Sequence, residues 1–386
     1  MKILHAISSA SPAGGGPIES VRQSAQVMQQ LGHTVEVVAL DDPGEAFLRS
    51  ASLNIHAVGR GRTSYRFNPR YVEWLRRHGA EYDVVVVNGL WQYASFGAWQ
   101  ALHGTSTPYA VFTHGMLDPW FKRTYPLKHL KKCMYWPWAE YRVLRDAAAV
   151  LFTCETERRL ARESFSPYRA KEVVVNFGTS APPANADESL AAFRERYREL
   201  NGKRLVIFLG RLHEKKGCDL LLRAFARVLS PRPEWHLLMC GPGQGGEEHK
   251  LRALSAELGI AERITWTGMI SGKMKWGALR AAEIFALTSH QENFGIVVAE
   301  ALACGVPTLI SDQVNISGEV AADGAGLVAP DTVEGACSLL QRWLAMSDAE
   351  HSAMRAKTVA CFERRFEIQK AAENLLEVLQ GVVEKK

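Results

Sequence analysis

The chain has 386 residues, of which 47% are apolar, so we expect a globular protein that divides into two domains. The net charge of +5 is small for this length, which argues against general nucleic-acid binding while allowing a local phosphate site. The seven cysteines contain no CxxC pair and no Cys/His cluster with zinc spacing, which excludes a disulfide framework and a zinc knuckle and indicates a reducing compartment.

The amino-terminal residues enter a strand-like run directly after Met1, and Gly and Pro follow that run. The run lacks the apolar core and the cleavage site of a signal peptide. No uncharged stretch of the sequence approaches the length needed to span a bilayer. We therefore expect a cytoplasmic protein.

Short apolar runs recur through the first half of the chain, separated by segments of helical length. Runs without polar alternation are typical of strands buried on both faces of a sheet. The predicted strands are Ile3–Ile7, Thr34–Leu40, Val84–Asn88, Tyr109–Thr113, Val150–Thr153 and Val173–Val175. The predicted helices are Glu19–Leu31, Pro69–His78 and Glu155–Glu163. This alternation predicts an α/β domain with a parallel sheet over residues 1–180.

A polar stretch rich in Pro and Ala, Gly178–Asp187, then interrupts the pattern as an interdomain linker does. The alternation resumes after it and predicts a second α/β domain over residues 188–365. The predicted strands are Arg204–Leu209, His236–Cys240, Ile264–Thr267, Ile284–Leu287, Thr308–Ile310 and Leu327–Val328. The predicted helices are Asp219–Leu229, Glu247–Leu258, Met274–Ala282 and Gly295–Ala303. The charged tail is helical from about Thr358, and we expect a helix over 366–386 to pack back on the first domain.

Charged residues follow two predicted strands of the second half, where open parallel sheets bind their ligands. Arg211 offers a fork of donors to phosphate oxygens and Lys216 offers a point charge. Two basic residues in one loop are more often merely solvated, and it is their position after a strand that favours a phosphate site. Glu292 precedes a predicted helix and Glu300 lies one to two turns inside it, so the two carboxylates can bind different hydroxyls of one extended ligand.

Helix starts and a glycine run add further candidate contacts. The amides near Phe294 and Gly295 lie at a predicted helix start, a position that favours an anion. The run Gly14-Gly15-Gly16 forms either a ligand-binding loop or a plain tight turn between the opening strand and the first helix. The run is not a dinucleotide-binding fingerprint, because Pro17 and Ile18 stand where that pattern would continue.

A histidine and an aspartate follow the predicted strand Tyr109–Thr113. His114 comes at the end of this strand, where it can donate a hydrogen bond to a substrate oxygen or to developing negative charge. Asp118 can serve a sugar acceptor. A lone histidine is more often structural, and an aspartate before proline is also an ordinary turn residue.

Taken together, these motifs resemble the retaining glycosyltransferases of family 4, which have the two-domain GT-B fold. The matching segments of the second half are Gly210-Arg211-Leu212 with Lys216-Gly217, Glu292-Asn293-Phe294-Gly295 through Glu300-Ala301, Gly305-Val306-Pro307, and Gly324 through Val328. The first half matches at the opening strand, the glycine run and His114-Gly115, so the resemblance spans most of the chain. It implies two Rossmann-like domains whose parallel sheets face each other across a cleft.

The resemblance assigns the donor nucleotide to the second domain. Arg211 and Lys216 would bind its diphosphate, Glu300 would bind its ribose, and Gly241 lies in a loop that would run near the nucleotide. The sequence has no Asp-x-Asp, the usual handle for a metal-bound nucleotide sugar, so the two cations would replace the metal. We therefore expect no metal and no cofactor, with the nucleotide-sugar as co-substrate.

The same resemblance assigns the transferred sugar to Glu292, Asn293 and the amides of Phe294 and Gly295, with His114 reaching it from the first domain. It implies that the anomeric configuration is retained and that the acceptor attacks from the face that the diphosphate leaves. The departing phosphate oxygen can take the acceptor proton, so no enzymic base is required. One departure from the family is the segment 175–179, which lacks the common Pro-Asn-Gly followed by an acidic residue. Contacts at this hinge, and the identity of the donor sugar, are therefore not carried over.

The stretch Met116–Trp120 resembles members that build bacterial exopolysaccharides or O-antigens. We therefore expect transfer of a hexose from a UDP- or GDP-sugar to a glycan or lipid-linked acceptor in cell-surface polysaccharide synthesis. Residues 120–145 interleave seven aromatic with seven basic side chains, a mixture that docks on anionic membranes. Such contact would be peripheral, on the cytoplasmic face of the inner membrane. The alternative is a helical hairpin that packs its aromatic side chains on the first domain.

Two other classes of function remain open from the sequence. An NAD-dependent oxidoreductase or sugar-nucleotide epimerase would need the missing glycine fingerprint, together with an acidic ribose ligand for which Asp41 and Asp42 are candidates. A non-catalytic sugar-nucleotide-binding protein would keep the fold without turnover. The retained charged residues of both halves argue against this second alternative.

Overall fold

The computed structural model of the chain describes residues 1–12 and 15–385. The chain divides into two compact α/β units, here called the first unit (Met1–Gly178 with Ile368–Lys386) and the second unit (Thr179–Glu367). The first unit therefore contains the last helix of the chain as well as the amino-terminal half. Among the helices of the described residues, none combines the length and the apolar character that crossing a bilayer requires.

A parallel sheet of seven strands forms the centre of the first unit. The strands are β1 (Lys2–Ile7), β2 (Thr34–Ala39), β3 (Asn54–Ala57), β4 (Val84–Asn88), β5 (Tyr109–Phe112), β6 (Ala149–Phe152) and β7 (Glu172–Val174). Their order in the sheet is β3-β2-β1-β4-β5-β6-β7, so the direction of winding reverses between β1 and β4. Strand β4 consists of four valines and Asn88 and is buried throughout, as expected for β-branched residues in a sheet covered on both faces.

Helices cover both faces of this sheet. They are α1 (Gly16–Gln30), α2 (Ala46–Arg49), α3 (Pro69–His78), α4 (Tyr93–Leu102), α5 (Trp120–Thr124), α6 (Pro126–Tyr135), α7 (Glu140–Asp146) and α8 (Glu155–Ala161), with a 3-10 turn at Gly79–Glu81. On one face, Tyr71 and Leu75 of α3 join Leu4, Val85 and Val87 of the sheet in one apolar core. The spacing of four between Tyr71 and Leu75 places both side chains on the same side of α3.

The second unit is built around a parallel sheet of six strands. The strands are β8 (Arg204–Leu209), β9 (Trp235–Cys240), β10 (Ile264–Gly268), β11 (Ile284–Leu287), β12 (Thr308–Ser311) and β13 (Gly326–Ala329). Their order is β10-β9-β8-β11-β12-β13, so the winding reverses between β8 and β11. The helices are α9 (Ala186–Arg196), α10 (Cys218–Val228), α11 (Glu247–Glu257), α12 (Gly272–Ala281), α13 (Ile296–Ala303), α14 (Ser317–Ala322), α15 (Val333–Ala345) and α16 (Asp348–Arg365). Three 3-10 turns lie at Arg198–Leu200, Glu214–Lys216 and Ala261–Arg263.

The last helix, α17 (Ile368–Glu384), follows α16 after a break of two residues. It packs against α1 and β4 of the first unit. Its buried side chains include Leu375, Leu376 and Leu379, which fall on one side of the helix. The chain thus returns to the first unit with a helix that completes one face of its sheet.

The twelve predicted strands all lie within one residue of strands in the structure, and the predicted α/β class with parallel sheets is confirmed. The predicted linker is wrong at its end, because α9 begins at Ala186 and the acidic residues Asp187 and Glu188 stabilise its amino-terminal turn. Helix α13 begins at Ile296, one residue after its predicted start. The chain passes from one unit to the other at Gly178/Thr179 and again at Glu367/Ile368.

Candidate active site

The second unit has a candidate ligand site at the carboxyl ends of β8 and β11. These two strands are neighbours, but the strands that follow them lie on opposite sides: β9 and β10 beyond β8, and β12 and β13 beyond β11. Where the winding of a parallel sheet reverses in this way, the loops diverge and leave a crevice for a ligand. The loop after β8 contains Arg211 and Lys216, and the loop after β11 contains Glu292.

Hydrogen bonds join these two loops. The amide of His290 donates to the carbonyl of Lys215 at 2.9 Å, and Oγ1 of Thr288 donates to the carbonyl of Gly217 at 2.7 Å. Gly217 has a φ of +57°, and a Cβ on it would lie 2.1 Å from the carbonyl oxygen of Thr288. Only glycine permits so close an approach at this φ, so this residue sets the spacing between the two loops.

Lys216 and Glu292 meet between the loops. The Lys216 ammonium contacts Oε2 of Glu292, and the two side chains are only 18% and 15% exposed. Burial, followed by the charges of Lys215 and Arg211, lowers the pKa of Lys216 to about 7. Contact with the Glu292 carboxylate opposes this lowering, because an adjacent anion favours the charged ammonium. The crevice therefore presents a cation suited to phosphate oxygens directly beside an acceptor suited to hydroxyls.

The loop after β12 holds the other side of the Glu292 turn. The Glu292 amide donates to the carbonyl of Gln313 and the Asn315 amide donates to the carbonyl of Glu292, each at 3.0 Å. The side-chain amide of Asn315 donates to Oδ1 of Asn293 at 3.3 Å. Phe294 is buried and anchors the turn in the core of the unit. Glu292 and Asn293 are thus held at the carboxyl edge of the sheet by hydrogen bonds from two neighbouring loops.

Helix α13 starts directly after this turn. Its N-cap, Gly295, has a left-handed φ of +76°, and the first amides of any helix lack acceptors within it, which favours an anion there. Glu300, the fifth residue of α13, is 5% exposed and accepts a hydrogen bond from Lys275 of α12 at 2.6 Å. The sequence does not identify Lys275, since this pair depends on the packing of α12 against α13.

Arg211 and Gly241 lie in two adjoining loops, after β8 and β9. Arg211 is exposed, and its Nη1 donates to Oε1 of Gln244 at 3.4 Å. Gly241 has a φ of +141°, and a Cβ on it would lie 1.8 Å from the carbonyl oxygen of Gly210. This approach explains why glycine occupies position 241, because any side chain there would displace the backbone that precedes Arg211.

In the first unit, His114 follows β5 and Asn88 ends the adjacent strand β4. Nδ2 of Asn88 donates to the carbonyl of Val86 at 3.0 Å, which fixes the orientation of the amide because a carbonyl only accepts. Oδ1 of Asn88 then lies 3.2 Å from Nε2 of His114, so this nitrogen carries the hydrogen. Nδ2 also lies 3.1 Å from Nδ1 of His5, which accepts from it.

These contacts change the expected role of His114. Burial, and secondarily the neighbouring His5, lowers the pKa of His114 to about 3, so the ring is neutral near pH 7. With the hydrogen on Nε2 engaged by Asn88, the remaining ring nitrogen, Nδ1, is an acceptor. The geometry therefore replaces the expected hydrogen-bond donor with an acceptor, which suits a hydroxyl group.

Glu157 of α8 fixes the turn that carries His114. The φ of His114 is +48°, which is uncommon for a residue with a side chain. Oε1 of Glu157 accepts from Oγ1 of Thr113 and from the amide of Gly115, each at 2.6 Å. Oε2 accepts from the amide and the hydroxyl of Thr153, both at 2.7 Å. The sequence does not identify Glu157, because its spacing alone places it on an ordinary charged helix.

The other predicted contacts of the first unit lie at two helix starts. Gly15 has a φ of +78° and is the N-cap of α1, which begins at Gly16. Gly14 lies outside the described residues. Asp118 is 9% exposed and accepts a hydrogen bond from the amide of Trp120 at 2.8 Å.

Asp41 and Asp42, the candidate ribose ligands of an NAD-dependent enzyme, instead form hydrogen bonds within the first unit. The Asp41 carboxylate accepts from Oγ of Ser9 and from the amide of Ala10, both at 2.6 Å, and so braces the loop after β1. Asp42 accepts from the amide of Gly44 at 2.8 Å. Within residues 1–12 and 15–385, no three His, Cys, Asp or Glu side chains gather as a metal site requires.

The two units match two known domain families. Residues 15–178 match the glycosyl transferase 4-like domain, and residues 191–359 match glycosyl transferases group 1. Both matches, together with the two parallel sheets, define a glycosyltransferase. The chain therefore belongs to the glycosyltransferases that combine these two domains, consistent with family 4, and has the GT-B fold.

Similar proteins agree with this class. The GDP-mannose:cellobiosyl-diphosphopolyprenol alpha-mannosyltransferase of Xanthomonas campestris is 26% identical over 380 residues, which cover 94% of this chain and 93% of that protein. The D-inositol 3-phosphate glycosyltransferase of Gordonia bronchialis is 32% identical over 221 residues, 54% of this chain and 47% of its own. Sucrose-phosphate synthase from Thermosynechococcus elongatus superposes with a TM-score of 0.82 and 20% identity over the whole of both chains. Anabaena HepE, solved with UDP and glucose, superposes with a TM-score of 0.79 and 18% identity over 99% of this chain and 100% of its own. These two structures establish the shared fold.

Proposed function

We propose that the protein transfers a hexose from a nucleoside diphosphate sugar to a lipid-linked glycan acceptor, with retention of the anomeric configuration and without a divalent metal. The observation that carries this proposal is the contact of Lys216 with Glu292 at the crevice between β8 and β11. It supports a site in which one cation meets a diphosphate while an adjacent carboxylate meets the sugar. Arg211 at the exposed rim adds a second cation for the same diphosphate.

In the proposed reaction, the acceptor hydroxyl oxygen bonds to the anomeric carbon on the face from which the diphosphate departs. The bond from that carbon to the diphosphate oxygen breaks, and the acceptor proton passes to the departing phosphate. Lys216 and Arg211 stabilise the charge that develops on the leaving group. Glu292 accepts hydrogen bonds from the hexose hydroxyls, and Glu300 accepts from the ribose.

We propose that His114 of the first unit also binds a hydroxyl of the hexose. Because Nε2 is engaged by Asn88, Nδ1 accepts from a sugar hydroxyl and orients the ring. The remaining contacts to the sugar and the phosphate come from Asn293 and from the backbone amides of Phe294 and Gly295, at the start of α13. Gly241 keeps the Arg211 loop close to the nucleotide.

The relatives favour a donor and an acceptor to test first. The Xanthomonas relative, which aligns over 94% of this chain, is named for GDP-mannose and for a diphosphopolyprenol-linked acceptor. HepE, which shares 18% identity with this chain, was solved with UDP and glucose. We therefore propose GDP-mannose as the first donor and UDP-glucose as the second, with an acceptor used in cell-surface polysaccharide synthesis.

Purified protein should release nucleoside diphosphate from one of these donors and extend a lipid-linked acceptor in the presence of EDTA. NMR of the product should show the anomeric configuration of the donor. Lys216→Met and Glu292→Gln should each lower kcat by about 100-fold, since both remove contacts to the reacting groups. The exposed Lys250 and Glu257 of α11 provide controls as Lys250→Met and Glu257→Gln. Unchanged turnover in the first two variants, loss of activity with EDTA, or an inverted product would each contradict one part of the proposal.

We also propose that residues 120–145 place the first unit on the cytoplasmic face of an anionic inner membrane. Leu127, Leu130, Met134 and Trp138 are 78%, 60%, 66% and 69% exposed. Spacings of three and four residues put the first three on one side of α6, and basic residues flank them. An exposed apolar stripe with neighbouring cations suits an anionic lipid surface. The alternative, in which the aromatic side chains of this segment pack on the first domain, holds for Trp136, which is buried in the core. It does not hold for Trp138, which is exposed.

Vesicle sedimentation tests this contact. The protein should bind vesicles that contain phosphatidylglycerol and not vesicles of phosphatidylcholine alone. A triple variant, Leu127→Ser with Leu130→Ser and Met134→Ser, should lose binding, because it removes the apolar stripe while leaving the core intact. Met269→Ser in the second unit is a matched control, since Met269 is 78% exposed. Undiminished sedimentation of the triple variant would contradict the assignment.

A further inference from the structure

The first unit contains a cavity of about 230 Å³ between the loop after β5 and helices α5 and α6. Six of its eight lining residues supply two aromatic rings, one carboxylate and three nitrogen-bearing side chains. They are Phe121, Tyr125, Asp118, Lys128, His129 and Lys132. None of these residues belongs to the proposed donor site, although five of them lie in the segment 120–145 that is proposed to contact the membrane.

Two lysines give the cavity its charge. The Lys132 ammonium lies 4.3 Å from the centre of a Trp91 ring, and the Lys128 ammonium lies 4.6 Å from the centre of the Tyr125 ring. Within the part of the chain that the structure describes, neither lysine forms an ion pair. Burial lowers the pKa of Lys132, and the opposing influence is the charge of Glu140. Two cations that rest on aromatic rings beside a cavity favour an anion in that cavity.

In helix α6, the charged side faces inward and the apolar side faces outward, the reverse of most surface helices. A helix on the surface of a protein usually buries its apolar stripe and exposes its charges. In α6, Lys128 and Lys132 line the cavity, whereas Leu127, Leu130 and Met134 face outward and are largely exposed. Cations on the cavity side and an apolar stripe on the outer side fit a ligand that joins an anionic group to a hydrocarbon chain.

We propose that this cavity binds the phosphate or diphosphate of a lipid-linked acceptor. Lys128 and Lys132 pair with its phosphate oxygens as point charges. The hydrocarbon chain leaves along the outer face of α6 into the bilayer. Asp118, on the same cavity, accepts from a hydroxyl of the glycan attached to the phosphate. This inference rests on the proposed function in one respect, the use of a lipid-linked acceptor.

Binding of a soluble prenyl diphosphate tests the site without turnover. Farnesyl diphosphate should quench tryptophan fluorescence on binding to the full-length protein, because Trp91 packs on Lys132. The double variant Lys128→Met with Lys132→Met should bind at least tenfold more weakly. Lys250→Met removes a charge from an exposed position of the second unit and should bind as the wild type does.

Two further probes distinguish a lipid-linked phosphate from a free phosphate as the ligand. Farnesol should bind at least tenfold more weakly than farnesyl diphosphate, since it lacks the charge, and inorganic pyrophosphate should also bind at least tenfold more weakly, since it lacks the chain. Equal affinity for pyrophosphate and farnesyl diphosphate would overturn a lipid-linked ligand. Equal affinity of wild type and double variant for farnesyl diphosphate would overturn the site.

The variants need a check on folding, because Lys132 packs against Trp91. Lys128→Met alone leaves that contact in place and should weaken farnesyl diphosphate binding at least threefold. Full affinity in this variant would count against the proposal even if the double variant failed to fold. Nucleotide binding distinguishes the two proposals: if GDP and UDP both fail to bind while farnesyl diphosphate binds, the proposed function fails and the anion site stands.

Discussion

Replacing Glu140 by glutamine should remove a pH dependence from the stability of the first unit. The Glu140 side chain is fully buried, and its Oε1 accepts from the Trp91 amide at 2.7 Å and from Oγ of Ser95 at 2.9 Å. Its Oε2 has no hydrogen-bond partner among the described residues. Burial raises the pKa of Glu140 from 4.5 to about 7, against the opposing influence of Ser95, Trp91 and Lys132.

The sign and size of the effect follow from this pKa. Because the folded state holds the proton more tightly, the unfolded state ionises first as the pH rises above 4.5. The free energy of unfolding then falls by about 1.4 kcal/mol per pH unit until the folded carboxyl also ionises near pH 7. The loss over that interval is about 3 kcal/mol. Above pH 7, this group adds no further change.

Urea unfolding followed by tryptophan fluorescence between pH 4.5 and 8 measures this loss. Glutamine keeps an oxygen that accepts from Trp91 and Ser95, so Glu140→Gln should lack only the titration. The variant should therefore gain about 3 kcal/mol relative to the wild type between pH 4.5 and 7. Glu73→Gln, on an exposed position of α3, should follow the wild type at every pH. Parallel curves for Glu140→Gln and the wild type would refute the reasoning.

Three other changes test the site. Gly241→Ala should lower the free energy of unfolding by about 2 to 4 kcal/mol in urea titrations, because its Cβ would meet the carbonyl oxygen of Gly210; full stability would show that the loops can separate freely. Asn88→Asp should raise the pKa of His114, because a carboxylate favours the imidazolium; an NMR titration unchanged from the wild type would contradict the contact. Glu300→Gln should weaken nucleoside diphosphate binding by about tenfold in calorimetry, since a neutral amide is a weaker acceptor for ribose hydroxyls; wild-type affinity would remove Glu300 from the ribose site.

Much of the fold is readable from the sequence because strands buried on both faces form uninterrupted apolar runs. Strand β4, with four consecutive valines, illustrates this case. Strand β3 is missed because it lies at the edge of the sheet and is only partly buried, so it has no such run. The position of Lys216 and Glu292 is also readable, since the carboxyl ends of parallel strands share one edge of a sheet.

Contacts between distant elements are not readable in this way. The pairing of Glu300 with Lys275 depends on how α12 packs on α13, and the tautomer of His114 depends on Asn88 in a neighbouring strand. Periodicity locates helices without saying which other helix or strand lies beside them. The same limit applies to α6, because its sequence mixes apolar and basic residues without indicating that the lysines would line a cavity.

Calorimetric titration of GDP and of UDP into the protein in EDTA tests the central claim most directly. One of the two nucleotides should bind, and Lys216→Met should bind it at least tenfold more weakly while Lys250→Met binds it as the wild type does. Equal affinity in wild type and Lys216→Met would contradict an account in which the lysine beside Glu292 holds the diphosphate.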